Sequence, residues 1–189
     1  MKPAALNLGL LGLVVLFFLV SLAVGPAGLG ITDSITGIIA GGSDVGGIIM
    51  REIRLPRAIL ALAIGFTLGM SGAVLQGFLR NPLAEPGLIG VSGMASLGAV
   101  ILFYLGLAGN TLYALPAGAL LGALIAVALL LALAARSSST LTLILAGVAL
   151  SSLAGALTSL VLNLSPNPFA SYEIIFWLLG SLKDRSMEH

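Results

Sequence analysis

The residues best suited to recognition lie in two short brackets around an uncharged run of 22 residues, 58–79. Ahead of it stands Arg54-Leu55-Pro56-Arg57, and behind it Arg80-Asn81-Pro82-Leu83-Ala84-Glu85-Pro86. Two guanidinium groups three residues apart at a helix start can fork onto carboxylates of a partner. They can equally anchor the helix at the membrane boundary by snorkelling. Pro56 suits a first helical turn, where its lost N–H costs nothing. Asn81 and Glu85 each precede a proline and are driven out of helical geometry, so the chain must turn there. Gly87, Gly90 and Gly93 follow and permit close backbone approach. Gln76, one turn before the second bracket, offers an amide to a neighbouring helix or to a passing solute.

Covalent chemistry has little to work with. The chain holds no cysteine and one histidine, the C-terminal His189, which excludes thiolate metal sites and cysteine nucleophiles. The acids Asp33, Asp44, Glu52, Glu85, Glu173, Asp184 and Glu188 all lie outside the apolar runs, so neither a catalytic pair nor an intramembrane proton relay is suggested. No Gly-Lys pair occurs. A nucleotide-binding P-loop is therefore lacking, and ATP hydrolysis, if coupled to this protein, belongs to another subunit. We expect no enzyme, cofactor or metal site. With net charge +1 and no basic patch, nucleic acid is not an expected partner.

The elements that position the brackets follow from composition. The chain is 59% hydrophobic and 8% charged, against about 25% charged in soluble domains, and its mean hydropathy is +1.18. Its apolar runs are helix-length rather than alternating strands, so an all-α, polytopic helical bundle in a lipid bilayer is predicted. Five spans are expected, at residues 6–24, 58–79, 87–108, 112–135 and 141–162, with a remnant at 174–182 too short to cross. The short polar breaks between the later spans imply antiparallel neighbours. The long connector, 25–53, contains Ile35, Ile38 and Ile39 at a spacing that fits an interfacial helix or a glycine-loosened loop. Small residues four apart, Gly65/Gly69/Ala73, Gly118/Gly122 and Gly147/Ser151/Gly155, suit close helix packing in lipid. Positive-inside counting places the N-terminus outside, because Arg51, Arg54 and Arg57 cluster before the second span. Either the protein is so oriented, or that cluster has a reason to face outward.

The stretch from Arg54 to Val100 resembles the FecCD family, the permeases of binding-protein-dependent ABC importers for iron–siderophores, haem and vitamin B12. The matching marks are Arg54-Leu55-Pro56-Arg57, Gly65 with Leu68, Ser71-Gly72-Ala73, Gln76, Asn81-Pro82-Leu83-Ala84-Glu85-Pro86 and Gly90-Val91-Ser92. Leu145 to Leu150 and Trp177 to Leu182 add to the resemblance. It implies a bacterial or archaeal cell-membrane protein with a cytoplasmic N-terminus, which puts the arginine cluster outside. It implies an extracytoplasmic substrate-binding protein docking on Arg54 and Arg57, separate ABC ATPase subunits, and a second permease subunit. Arg51 has no counterpart in the motif. The family's fifth helix lines the translocation path, making Ser151, Ser152, Gly155, Thr158 and Ser159 candidates for that lining, or for helix packing. Family permeases have about ten helices. This chain is therefore expected to be the N-terminal half, stopping ahead of the sixth helix and of the loop that contacts the ATPase. Beside this reading stand a secondary transporter or channel, and a non-transporting assembly or regulatory membrane protein.

Overall fold

The computed structural model describes residues 3–25, 45–109, 111, 113–136, 139–165 and 168–182. Among them every regular element is helical, as the apolar run lengths require. Helix α1 is Pro3–Ala23 and α2 is Val45–Ile49. The latter runs through a π-helical turn, Met50–Arg54, directly into α3, Leu55–Leu79. A 3-10 turn, Pro86–Ile89, precedes α4, Val91–Tyr104. Then come α5, Ala114–Ala134, α6, Thr140–Leu164, and α7, Pro168–Leu178. Among the described residues four stretches are long and apolar enough to cross a bilayer: Pro3–Ala23, the continuous Val45–Leu79, Ala114–Ala134 and Thr140–Leu164.

The segment expected to span at 87–108 is shorter than its hydropathy suggests. Gly90 and Gly106 both adopt positive φ, 78° and 71°, and bound a helix of 14 residues. At 1.5 Å per residue that α-helix is about 21 Å long, and the 3-10 turn Pro86–Ile89 precedes it. The Leu107 amide reaches back to the Leu102 carbonyl and Gly106 to Phe103, both at 3.0 Å; this closes the helix with a Schellman motif. The proposed interfacial helix around 31–39 lies outside the described residues.

The chain divides into two compact units, residues 1–67 together with 182–189, and residues 68–181. In the second, α4 is the centre, packed on α5 and α6 and, near its C-terminus, on α7. Pairing of Gly98 and Leu102 with Gly118, and of Met94 with Gly122, runs α4 antiparallel to α5. Pairing of Gly90 with Gly147 and Gly93 with Ala154 runs it parallel to α6. The buried stripe of α5 is Gly118, Gly122, Ala126 and Leu130, four residues apart, so the small-residue pattern marks a true packing face. A methyl group on Gly118 would lie 2.9 Å from the Gly98 carbonyl oxygen. Gly65, Gly69 and Gly155, predicted from the same pattern, have no neighbour within 4 Å of a β-carbon among the described residues. Phe103 and Trp177 meet edge to face, with centroids 5.8 Å apart and planes at 66°, which joins α4 to α7. Most large apolar side chains, including nearly all those of α1, are exposed, as befits a lipid-facing surface.

Gly122→Ala should press a methyl into the α4 backbone at Met94 and lower thermal stability in detergent by about 1–3 kcal/mol. Gly12→Ala, in open space on α1, should leave it unchanged or raised. Equal melting temperatures for the two variants would refute the backbone contact.

Candidate functional site

The arginines before α3 occupy dissimilar environments. The π turn is closed by the Leu55 amide bonding the Met50 carbonyl, five residues back; Met50, Arg54 and Ala58, each four residues from the next, are buried. Arg54 is 6% exposed. Its Nη1 donates to the carbonyls of Leu22, at 2.9 Å, and Ala23, at 3.1 Å. These are among the last carbonyls of α1, which have no partner further along their own helix and sit at its negative end. Pro56 is fully buried at the start of α3. Arg57 is half-buried, and its buried Nε has no hydrogen-bond partner among the described residues. Arg51 and Glu52 are exposed.

The second bracket is a compact sequence of turns. The α3 helix ends in a Schellman-type closure, Asn81 amide to Gln76 carbonyl at 3.2 Å. Arg80 occupies the left-handed position with φ 48°, where glycine is usual. The Asn81 side-chain oxygen accepts from the Leu83 amide at 2.9 Å, and the Asn81 carbonyl accepts from Ala84 at 3.1 Å. Pro82 sits between them at the turn position its fixed φ favours. Gln76 Nε2 donates to the Ala84 carbonyl at 3.4 Å, so the amide braces this turn. Ala84 is buried, while Leu83 is 81% exposed. Glu85, extended before Pro86, leads into the 3-10 turn.

That turn meets α6 at Gly90. A methyl there would lie 2.7 Å from the Gly147 carbonyl oxygen and 2.8 Å from Leu150 Cβ. Reciprocally, one on Gly147 would lie 2.7 Å from Ile89 Cα. Ser151 adds a long hydrogen bond, 3.5 Å, to the Gly87 carbonyl.

Helix α6 thereby acquires two unlike faces. Gly147, Leu150 and Ala154 are buried, and Ser151 and Thr158, half-buried, share that side. Ser152, Gly155 and Ser159 fall at i, i+3 and i+7 and are exposed. Ser152 Oγ turns back to the Val148 carbonyl at 2.9 Å, and Asn163 Nδ2 donates to the Ser159 carbonyl at 2.9 Å. The five α6 candidates thus split: two lie with the packing face, three with a small, polar, open face. Helical spacing alone could have separated them, had the packing face been known.

The structure is that of a polytopic helical membrane protein with its turn motif wedged against a helix carrying an open polar stripe. The FecCD transport family matches residues 13–189, and the chain belongs to it. Over 146 residues it is 42% identical to YvrB of Bacillus subtilis, an uncharacterized ABC transporter permease protein, covering 75% of this chain and 41% of that one. Over 135 residues it is 41% identical to BtuC of Salmonella paratyphi A, a vitamin B12 import system permease protein, covering 71% and 41%. A solved inward-facing structure, described as an ABC transporter of metal-chelate type, aligns with TM-score 0.82 and 33% identity. That alignment covers 98% of this chain and 56% of the other. The chain spans about two fifths of the length of the curated relatives it matches.

Arg80→Gly should relieve the left-handed strain, which costs an ordinary residue about 1–2 kcal/mol, and raise the melting temperature. A lower one would mean that the Arg80 side chain contributes more than its backbone costs.

Proposed function

We propose that this chain forms the N-terminal part of the permease path of an ABC importer for metal chelates of the iron–siderophore or cobalamin type. The observation that carries the reading is the open face of α6. Ser152, Gly155 and Ser159 put small, weakly polar groups on an otherwise apolar helix whose opposite face is packed against α4 and the turn before it. Such a surface holds a bulky, polar-rimmed ligand loosely enough to let it leave, as a conduit requires. ATP is hydrolysed by separate ATPase subunits, and a second permease subunit completes the path. The protein sits in a bacterial or archaeal cell membrane with its N-terminus in the cytoplasm, so the start of α3 faces the substrate-binding protein.

On that face the docking charge comes foremost from Arg57, with Arg51 beside it. Arg57 is half-buried and reaches solvent, whereas Arg54, 6% exposed, bonds the end of α1. Arg57→Glu in the assembled transporter should weaken binding-protein docking at least tenfold at low salt, less at high salt. Docking that is unchanged at equal membrane abundance would remove Arg57 from the interface.

In the reconstituted transporter, Ser152→Trp or Ser159→Trp should cut uptake of ferric siderophore or cobalamin at least tenfold, with docking and membrane abundance intact. Uptake that persists with both bulky side chains would place the path elsewhere. Uptake that survives without the ATPase would replace the importer by a secondary transporter.

A further inference from the structure

The turn after α3 is clasped at both ends by one residue, and we infer that this residue, Gln76, is a positioning residue for transport. It fixes the turn that seats on α6, and so sets which face of α6 the cargo meets. The inference rests on the α6 path assigned above. Its geometry is a closed ring of hydrogen bonds. The Gln76 carbonyl accepts from the Asn81 amide at 3.2 Å, and Gln76 Nε2 donates to the Ala84 carbonyl at 3.4 Å. The ring closes where the Ala84 amide donates to the Asn81 carbonyl at 3.1 Å. Ala84 is 4% exposed and its bond to Gln76 is partly shielded from water, which makes an unmet carbonyl there costly.

Arg80 shows what the ring does. It lies within the ring at φ 48°, a conformation that an ordinary residue keeps only where its surroundings over-determine it. The bonds of Gln76 to Asn81 and Ala84 supply that constraint. Beyond the ring the chain reaches α6 at three points. Gly90 rests on Gly147 and Leu150, and a β-carbon on Gly93 would stand 3.4 Å from that of Ala154. Ser151 Oγ donates to the Gly87 carbonyl at 3.5 Å. The brace on α3 and the seat on α6 are thus opposite ends of one short segment. An amide suits the first end, because it donates to a carbonyl without bringing a charge to the membrane boundary.

Uptake is measured in the reconstituted transporter with Gln76→Met, which has similar length and no donor. Maximal uptake of ferric siderophore or cobalamin should fall at least threefold at equal membrane abundance, with half-saturation unchanged. Unchanged uptake would overturn the inference. So would a raised half-saturation with maximal uptake intact, because the amide would then be touching cargo. Arg80→Gly occupies the left-handed position unaided. Combined with Gln76→Met it should restore most of the lost uptake, since the two sites act on one turn. A double variant as slow as Gln76→Met alone would overturn the brace.

The face of α6 is then read by cysteine labelling in the same transporter. This chain has no native cysteine, so each introduced one reports a single position. Ser152→Cys, on the exposed side, should react with a water-soluble maleimide faster than Ser151→Cys, which is half-buried. Gln76→Met should narrow that ratio at least threefold, slowing position 152 and speeding position 151. An equal rise at both would mean general loosening instead of rotation, and would overturn the inference. If Ser152→Cys resists labelling in the otherwise unmodified protein, the path reading fails, and the brace is decided at the turn itself. There Ala84→Cys, at a buried position, should label at least fivefold faster in Gln76→Met. An unchanged rate would overturn the brace.

Discussion

Helices in lipid gain nothing from hiding apolar side chains from one another, because the surrounding acyl chains are equally apolar. What holds the second unit together is therefore close contact between backbones, and α4 is where it happens. Gly98 meets Gly118 and Gly122 on one side, and the Gly90 turn meets Gly147 on the other. Dispersion between closely approaching main chains replaces the hydrophobic effect. That geometry requires hydrogen in place of a side chain at each crossing.

Gly90 carries two requirements at once. Its φ of 78° makes the corner between the 3-10 turn and α4, and its missing β-carbon lets that corner rest on Gly147 and Leu150. Consequently the long proline-bearing motif before it is more than a hairpin. Gln76 and Asn81 hold its carbonyl and amide groups, and the finished turn docks on α6. The rotation of α6 follows from that docking, and with it the exposure of Ser152, Gly155 and Ser159. The turn and the open polar stripe are thus one arrangement.

In the first unit a charge does the work that glycines do in the second. Burying the Arg54 guanidinium would be costly in isolation, but the end of α1 offers carbonyls that need donors. Each group settles the other's unmet hydrogen bonding.

Much of this was legible in the residues. Composition and run length dictate a helical membrane protein, because only helices can satisfy a backbone across so long an apolar stretch. The bracket motif suffices to indicate the family, and the Gly118/Gly122 spacing marks a packing face. Other features depend on three-dimensional neighbours. Gly65/Gly69 and Gly118/Gly122 look alike in sequence, yet among the described residues only the second pair has a backbone against it. The run at 87–108 reads as a span; the α-helix within it is bounded by two left-handed glycines, and hydropathy is blind to φ. Arg54 and Arg57 are equivalent on paper; one is buried against the end of α1, whose last carbonyls need a donor, and the other is half-buried. Residue type determined what each position could do. Which of those capacities is used was decided by the partner group that the tertiary fold placed within hydrogen-bonding or van der Waals reach.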